Sequence, residues 1–343
     1  MEGLPFGAMA ALVGLVSGTV LGLAARLGDF CTLGAVETAV YGGDQRRLRL
    51  WGIVLGTALL GTHLLAVAGL IDLGATIYHQ MIWNPWASIA GGLMFGYGMA
   101  MAGNCGFGAL VRFGGGDLRS MVIVVVMGIF GFLALSGPLA PLRIALFPQG
   151  PAPGPQGPAA LGVPVLPVAL ALAAAAFAWA LSHGPLRRDR RLLGWGVAAG
   201  LAVVWALAGT SWLAGTSLGA VTVEGPSYTA PIGRTLIFLM TSTAGGITFS
   251  VGSVAGVMLG AMGGSLIRGL FRWEACEDPR ELGRQVSGAA LMGVGGVVAM
   301  GCSIGQGITG FATLAWSGPV TLAAILVGAL IGLRHLIGGF QPD

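Results

Sequence analysis

Lysine is absent from this 343-residue chain, whose 17 basic residues are all arginine. Charge of either sign is scarce, at 9% of residues, against about a quarter in soluble globular domains. With 55% hydrophobic residues and a mean hydropathy of +0.85, that scarcity excludes an ordinary soluble fold. It predicts an integral membrane protein with many spans. Alternation over roughly ten-residue segments is also missing, which argues against a β-barrel. Cysteine is rare, with only Cys31, Cys105, Cys276 and Cys302. No C-x-x-C pair and no cysteine–histidine cluster occurs, so a structural zinc site and haem attachment are not expected. The four histidines are scattered, with no pair at metal-ligand spacing. "GFGALVRFGGG" lacks the Lys-Ser/Thr ending of a phosphate loop and follows no strand. The start, "MEGLPFGAM", has no basic n-region, so no cleaved signal peptide is expected.

Glycine, by contrast, is abundant, with 62 residues. That suits close helix–helix approach and helices broken inside the bilayer. The apolar stretches predict an all-α integral membrane protein of about nine transmembrane helices. They fall at 4–25, 50–70, 86–104, 118–137, 162–183, 192–213, one span within 232–267, 286–302 and 320–337. The three arginine-rich loops 42–49, 184–191 and 267–284 mark the cytoplasmic side. The Pro/Gly-rich segment 147–158 has no basic residue and reads as an outside linker, because its prolines prevent a regular helix. The N-terminus then lies outside and the C-terminus inside.

A repeat organises the chain. Residues 96–109 align with 293–306 at an offset of 197, pairing Gly96 with Gly293, Gly98 with Gly295, Ala102 with Ala299, Cys105 with Cys302 and Gly108 with Gly305. "CTLGAV" (31–36) also matches "TSLGAV" (216–221), which pairs Cys31 with Thr216. The topology makes the halves inverted: repeat 1 over about 4–137, a linker and extra span over about 138–191, and repeat 2 over about 192–337. The whole of 1–343 forms one transmembrane transporter domain.

A helix that stops inside the bilayer frees backbone groups that lipid cannot satisfy, so such a break is packed in protein or lines a polar cavity. Half-helices starting after Cys105 and Cys302 present N–H groups and a dipole that favour an anion. Each break thus sets a polarizable thiol, a weak donor, beside a positive backbone. Gly103, Gly106, Gly108, Gly301 and Gly305 supply the backbone freedom. Asn104, Gln306 and Thr309 are candidate donors to the oxygens of a sulfonate-type anion, with Ser303 a supporting neighbour of Cys302. Their alternative role is helix packing through polar side chains. Arg112 reads as an attractor of the anion or as a topology marker. Arg26 with Asp29 reads as a functional charge pair or as an ion pair at a helix end. Cys276 reads as an incidental surface residue.

The motifs "RLGDFCTLGA" (26–35), "FGYGMAMAGNCGFGALVRFGGGDLRS" (95–120) and "SGAALMGVGGVVAMGCSIGQGITG" (287–310) resemble the YeeE/YedE family of sulfur-compound transporters. The resemblance spans nearly the whole chain. It implies an hourglass-shaped helical fold with pseudo-two-fold inverted repeats in a bacterial inner membrane, and inward movement of thiosulfate. It also implies a relay of S–H···S contacts along Cys31, Cys105 and Cys302, which promotes Cys31 above what the repeat alone gives it. Some members of the family work with a small cytoplasmic TusA-like sulfurtransferase, so a separate partner of that kind is an expectation. No cofactor, metal or nucleic acid is implied. The other readings are a membrane sulfurtransferase carrying sulfane sulfur on a cysteine, a transporter of a selenium compound, and a channel in which the cysteines only pack.

Overall fold

The computed structural model describes residues 5–217, 219–242, 246–274 and 279–338. Cys276 and part of the third arginine-rich loop lie outside the described residues. Along the chain run α1 (Phe6–Leu27), α2 (Thr32–Val40), α3 (Arg46–Val67), α4 (Ile77–Gln80), α5 (Pro85–Ala102), α6 (Gly106–Gly114), α7 (Leu118–Leu135) and α8 (Ala140–Leu146). They are followed by α9 (Val165–Leu181), α10 (Gly184–Arg188), α11 (Arg190–Thr216), α12 (Ala230–Thr241), α13 (Phe249–Ile267) and α14 (Pro279–Val298). A π-helical stretch, Gly305–Gly310, precedes α15 (Ser317–Gly338). A helix lies at each expected span position, and the stretch 232–267 divides into α12 and α13.

Six helical segments among the described residues are long and apolar enough to cross a membrane; α9 and α12 are shorter but apolar. Large apolar side chains point outward along these helices, among them Leu12, Val16, Ile129, Leu201 and Ile331. Exposed in water they would be a liability; facing acyl chains they are at home. The protein is therefore a multi-pass all-α membrane protein.

The helices pack in two rows. In one, α13 lies against α1, α1 against α11, α11 against α3 and α3 against α9. In the other, α7 lies against α14, α14 against α5 and α5 against α15. The short elements fill the space between: α6 touches α13 and α7, α12 touches α7 and α13, α2 touches α3 and α15, and the π-helical stretch touches α15 and α3.

Small residues let the rows close. Gly14, Gly18 and Gly22 of α1 face the α13 backbone, and Gly252, Gly256 and Gly260 of α13 face that of α1. A Cβ on Gly18 or Gly256 would stand 2.9 Å from the backbone nitrogen of Val257 or Thr19. In lipid no hydrophobic effect drives helices together, so backbone approach of this kind carries the association.

The Pro/Gly-rich segment is fastened rather than free. Ile82 N donates to Gly150 O (2.8 Å), Ala152 N to Gln80 O (2.7 Å) and Trp316 N to Gln156 O (3.0 Å). It thereby ties α4 to the turn before α15, on the face opposite the arginine-rich loops.

Candidate functional site

Three breaks in the helices meet between the rows, each carrying a cysteine followed three residues later by glycine: Cys31–Gly34, Cys105–Gly108 and Cys302–Gly305. Cys31 and Cys105 are the N-caps of α2 and α6, and Cys302 makes the same contact just ahead of the π-helical stretch. Gly34 N donates to Cys31 Sγ (3.5 Å), Gly108 N to Cys105 Sγ (3.3 Å) and Gly305 N to Cys302 Sγ (3.4 Å). Caps are usually the oxygens of Ser, Thr, Asp or Asn. A thiol accepting through its lone pair keeps its S–H as a donor for something else. Glycine at the third position keeps the sulfur uncovered, since a Cβ there would stand 3.6 Å from Cys31 Sγ or 3.7 Å from Cys105 Sγ.

The backbone just before these cysteines is bent alike. Gly103 after α5 has φ 76° and Met300 after α14 has φ 57°, both left-handed, at positions 197 apart. Asp29, two residues before Cys31, has φ 52°. After Cys105 a half-helix begins at Gly106, as expected; after Cys302 the coil is π-helical from Gly305. Wide coils of this kind recur at functional sites.

Cys105 and Cys302 are both 1% exposed, while Cys31 is partly exposed. Side chains from opposite halves join them. Thr32 Oγ1 donates to Ser303 Oγ (3.0 Å) and lies 3.9 Å from Cys105 Sγ. Tyr228 N donates to Cys302 Sγ (3.3 Å), and Ser227 Oγ is 4.0 Å from the same sulfur. The rings of Phe30, Phe107 and Tyr228 run in series, with centroids 6.3 Å and then 5.2 Å apart. The π-helical stretch is held from two sides: Tyr78 of α4 donates to Gly305 O (2.8 Å) and Thr309 Oγ1 to Pro226 O (2.9 Å).

A cavity approaches this centre from each side. The one on the arginine-rich side has a volume of about 290 Å³ and is lined by Cys31, Gly103, Asn104 and Gly108, with Arg26, Arg47, Arg112 and Arg268 against Asp29 and Glu37. The opposite one, about 190 Å³, is lined by Tyr78, Glu224, Ser227, Arg234 and Met300. The two cavities are thus separate, and the two buried thiols, Cys105 and Cys302, lie in the lining of neither.

The remaining sequence candidates fall into place around this arrangement. Gly106 packs under Met127 and Tyr228: a Cβ there would stand 2.7 Å from Met127 Sδ and 3.2 Å from Tyr228 O. Gly301, Ser303 and Gln306 are fully enclosed. Gln306 Nε2 donates to Ala299 O (2.8 Å), while its Oε1 and the Oδ1 of Asn104 are buried without a partner among the described residues. Arg112 is exposed in the cavity. Arg26 and Asp29 do not pair with each other. Arg26 Nη2 donates to Val111 O (3.1 Å), closing the C-terminal end of α6, and Asp29 pairs with Arg268 Nη1 at 3.2 Å. Thr216, matched with Cys31 in the sequence, ends α11 and bonds back to Trp212 O; it caps no new helix. Thr32, Ser227, Tyr228 and Arg234 were not singled out in the sequence. The flanking prolines Pro226 and Pro231 are the visible signal that 226–231 is not a plain span. Among the described residues no three His, Cys, Asp or Glu side chains gather as metal ligands.

Comparison with known proteins gives a consistent picture. The family described as "Sulphur transport" matches residues 9–331. A thiosulfate transporter, TsuA, of Spirochaeta thermophila is 27% identical over 321 residues, covering 89% of this chain and 92% of the relative. A thiosulfate transporter, TsuA, of Escherichia coli K12 is 25% identical over 337 residues, covering 92% of each.

Proposed function

This chain belongs to the Sulphur transport family, and from that premise we propose that it carries thiosulfate inward across the bacterial inner membrane. It is a transporter rather than an enzyme. The ion would pass from the cavity at Arg234 and Ser227, across Cys302 and Cys105, to the cavity at Cys31. The observation that carries the reading is the set of three thiols at the breaks, each with a backbone N–H on its lone pair and an S–H left to offer. Thiosulfate presents a soft terminal sulfur and three oxygens. Weak, repeated contacts from S–H, N–H and hydroxyl groups hold such an ion without trapping it, as conduction requires. An activated thiolate for sulfur transfer needs a nearby base. The hydrogen-bond partners of these thiols are backbone N–H groups and hydroxyls.

The nine-span, inverted-repeat architecture belongs to the same proposal. Exchanging α1 with α11, α3 with α13, α5 with α14 and α7 with α15 maps the observed helix pairings onto one another, with α9 left over. Under that exchange α12, not the 216–221 segment, is the counterpart of α2. The arginine-rich face is assigned to the cytoplasm by the positive-inside rule. A TusA-like protein there would be the acceptor.

The test is uptake of labelled thiosulfate by cells lacking their own thiosulfate uptake. Wild type is expected to accumulate label, and Cys105→Ala and Cys302→Ala to lose it while remaining folded in the membrane. Full transport by the double variant would remove the relay. Preference for selenite or sulfite would change the substrate and leave the site.

A further inference from the structure

We propose that Arg234 is the capture residue for the incoming dianion, and that Glu224 holds it in reserve and sets selectivity for divalent over monovalent anions. The inference rests on the thiosulfate reading and deepens it. The two mouths differ in charge. The cavity on the arginine-rich side has four arginines against two carboxylates. In the opposite cavity the charged lining residues are Arg234 and Glu224. An anion entering there meets one cation already engaged.

The engagement is loose on one side and firm on the other. Arg234 Nη1 lies 3.7 Å from Glu224 Oε2, longer than a good charge-assisted hydrogen bond. Ser250 Oγ bridges them, 3.4 Å from each. Glu224 is pinned: its N–H donates to Thr210 Oγ1 (3.1 Å), its carbonyl accepts from Thr210 Oγ1 (2.9 Å), and its Oε1 accepts from Thr222 Oγ1 (2.5 Å). Arg234 is the freer partner, its side chain 46% exposed against 26% for Glu224. It projects from α12, and the segment leading into that helix presents Ser227 and Tyr228 to Cys302. An anion held by Arg234 therefore shares a cavity with Ser227, the next group on the way to the buried sulfur.

The carboxylate acts as a competitor. Until Arg234 turns away from it, the mouth has no net charge and the carboxylate repels anions. Once Arg234 has swung clear of the pinned carboxylate, a dianion gains about twice the Coulomb attraction of a monoanion at the same distance, so it offsets the loss of the Glu224 pair where a monoanion does not. Mouth charges of this kind change capture more than the later steps.

The experiment measures initial uptake of labelled thiosulfate against concentration in the full-length protein, with thiocyanate as competing monoanion. Arg234→Gln is expected to raise the half-saturation concentration about tenfold and leave the maximal rate within about twofold. Arg234→Lys should recover part of the loss. Glu224→Gln should lower the half-saturation concentration and let thiocyanate compete. Raising ionic strength should weaken wild-type capture more than that of Arg234→Gln. An unchanged half-saturation concentration in Arg234→Gln overturns the proposal. So does a fall in maximal rate alone that Arg234→Lys does not repair. Failure of wild type to take up thiosulfate would strike the transport reading itself, a result these variants cannot imitate.

Discussion

Thr32 shows how much depends on one hydroxyl. Its Oγ1 donates to Ser303 Oγ and faces Cys105 Sγ, so it joins the first half of the chain to the segment carrying Cys302. A buried hydrogen bond contributes about 1 kcal/mol net, and leaving its partner unsatisfied costs more. Thr32→Val keeps the shape and removes the donor. It is expected to cut thiosulfate uptake about tenfold with normal amounts of folded protein, and Thr32→Ser is expected to restore most of it. Uptake at the wild-type level in Thr32→Val would show that the bridge is packing alone. Cys105, Cys302 and their glycines were readable in the sequence because a turn inside a membrane leaves a local mark. Thr32 left none, and Tyr228 only the prolines flanking its segment: their roles come from contacts across 70 or more residues, Thr32 to Cys105 at a separation of 73 and Tyr228 to Cys302 at 74.

Among the elements, glycine spacing decides how closely neighbouring helices of a row approach. On α5, Gly91 and Gly98 face α14, and Gly288 and Gly295 of α14 face back. A Cβ on Gly98 would stand 2.5 Å from Gly288 O, and one on Gly288 2.6 Å from Gly98 O. Both neighbours are backbone, which cannot swing aside. Overpacking of this kind costs about 1–3 kcal/mol or more. Gly98→Val is therefore expected to lower the thermal unfolding temperature in detergent and the yield of monodisperse protein. Gly263→Val, at a glycine with open space around it, should do neither. Equal behaviour of the two variants would refute the close-packed seam. The helix positions were legible from apolar length alone. The proposed correspondence of α12 with α2 was not, because "LGAV" matched by sequence at 216–221 while α12 begins at Ala230 after a proline-flanked bend. The fastening of segment 147–158 was equally hidden, since proline and glycine say only that no regular helix forms there.

At the scale of the whole molecule, two separate cavities approach the buried thiols from either side, and their linings give the assembly a direction. Cys31 lines the cavity on the arginine-rich side, whereas Cys302 lines neither, although Ser227, 4.0 Å from its sulfur, lines the other. A charged, membrane-impermeant methanethiosulfonate reads that difference. In a variant that keeps Cys31 and has Ser at the other three cysteines, the reagent is expected to label inverted vesicles and to spare intact cells. In the matching variant that keeps Cys302, labelling should be at least about tenfold slower from either side, because a 1% exposed sulfur must wait for the centre to open. Labelling of Cys31 from outside would reverse the assigned orientation. Equally fast labelling of Cys302 from both sides would mean that the centre is an open pore, and a pore has no use for thiols that must hand an ion from one to the next.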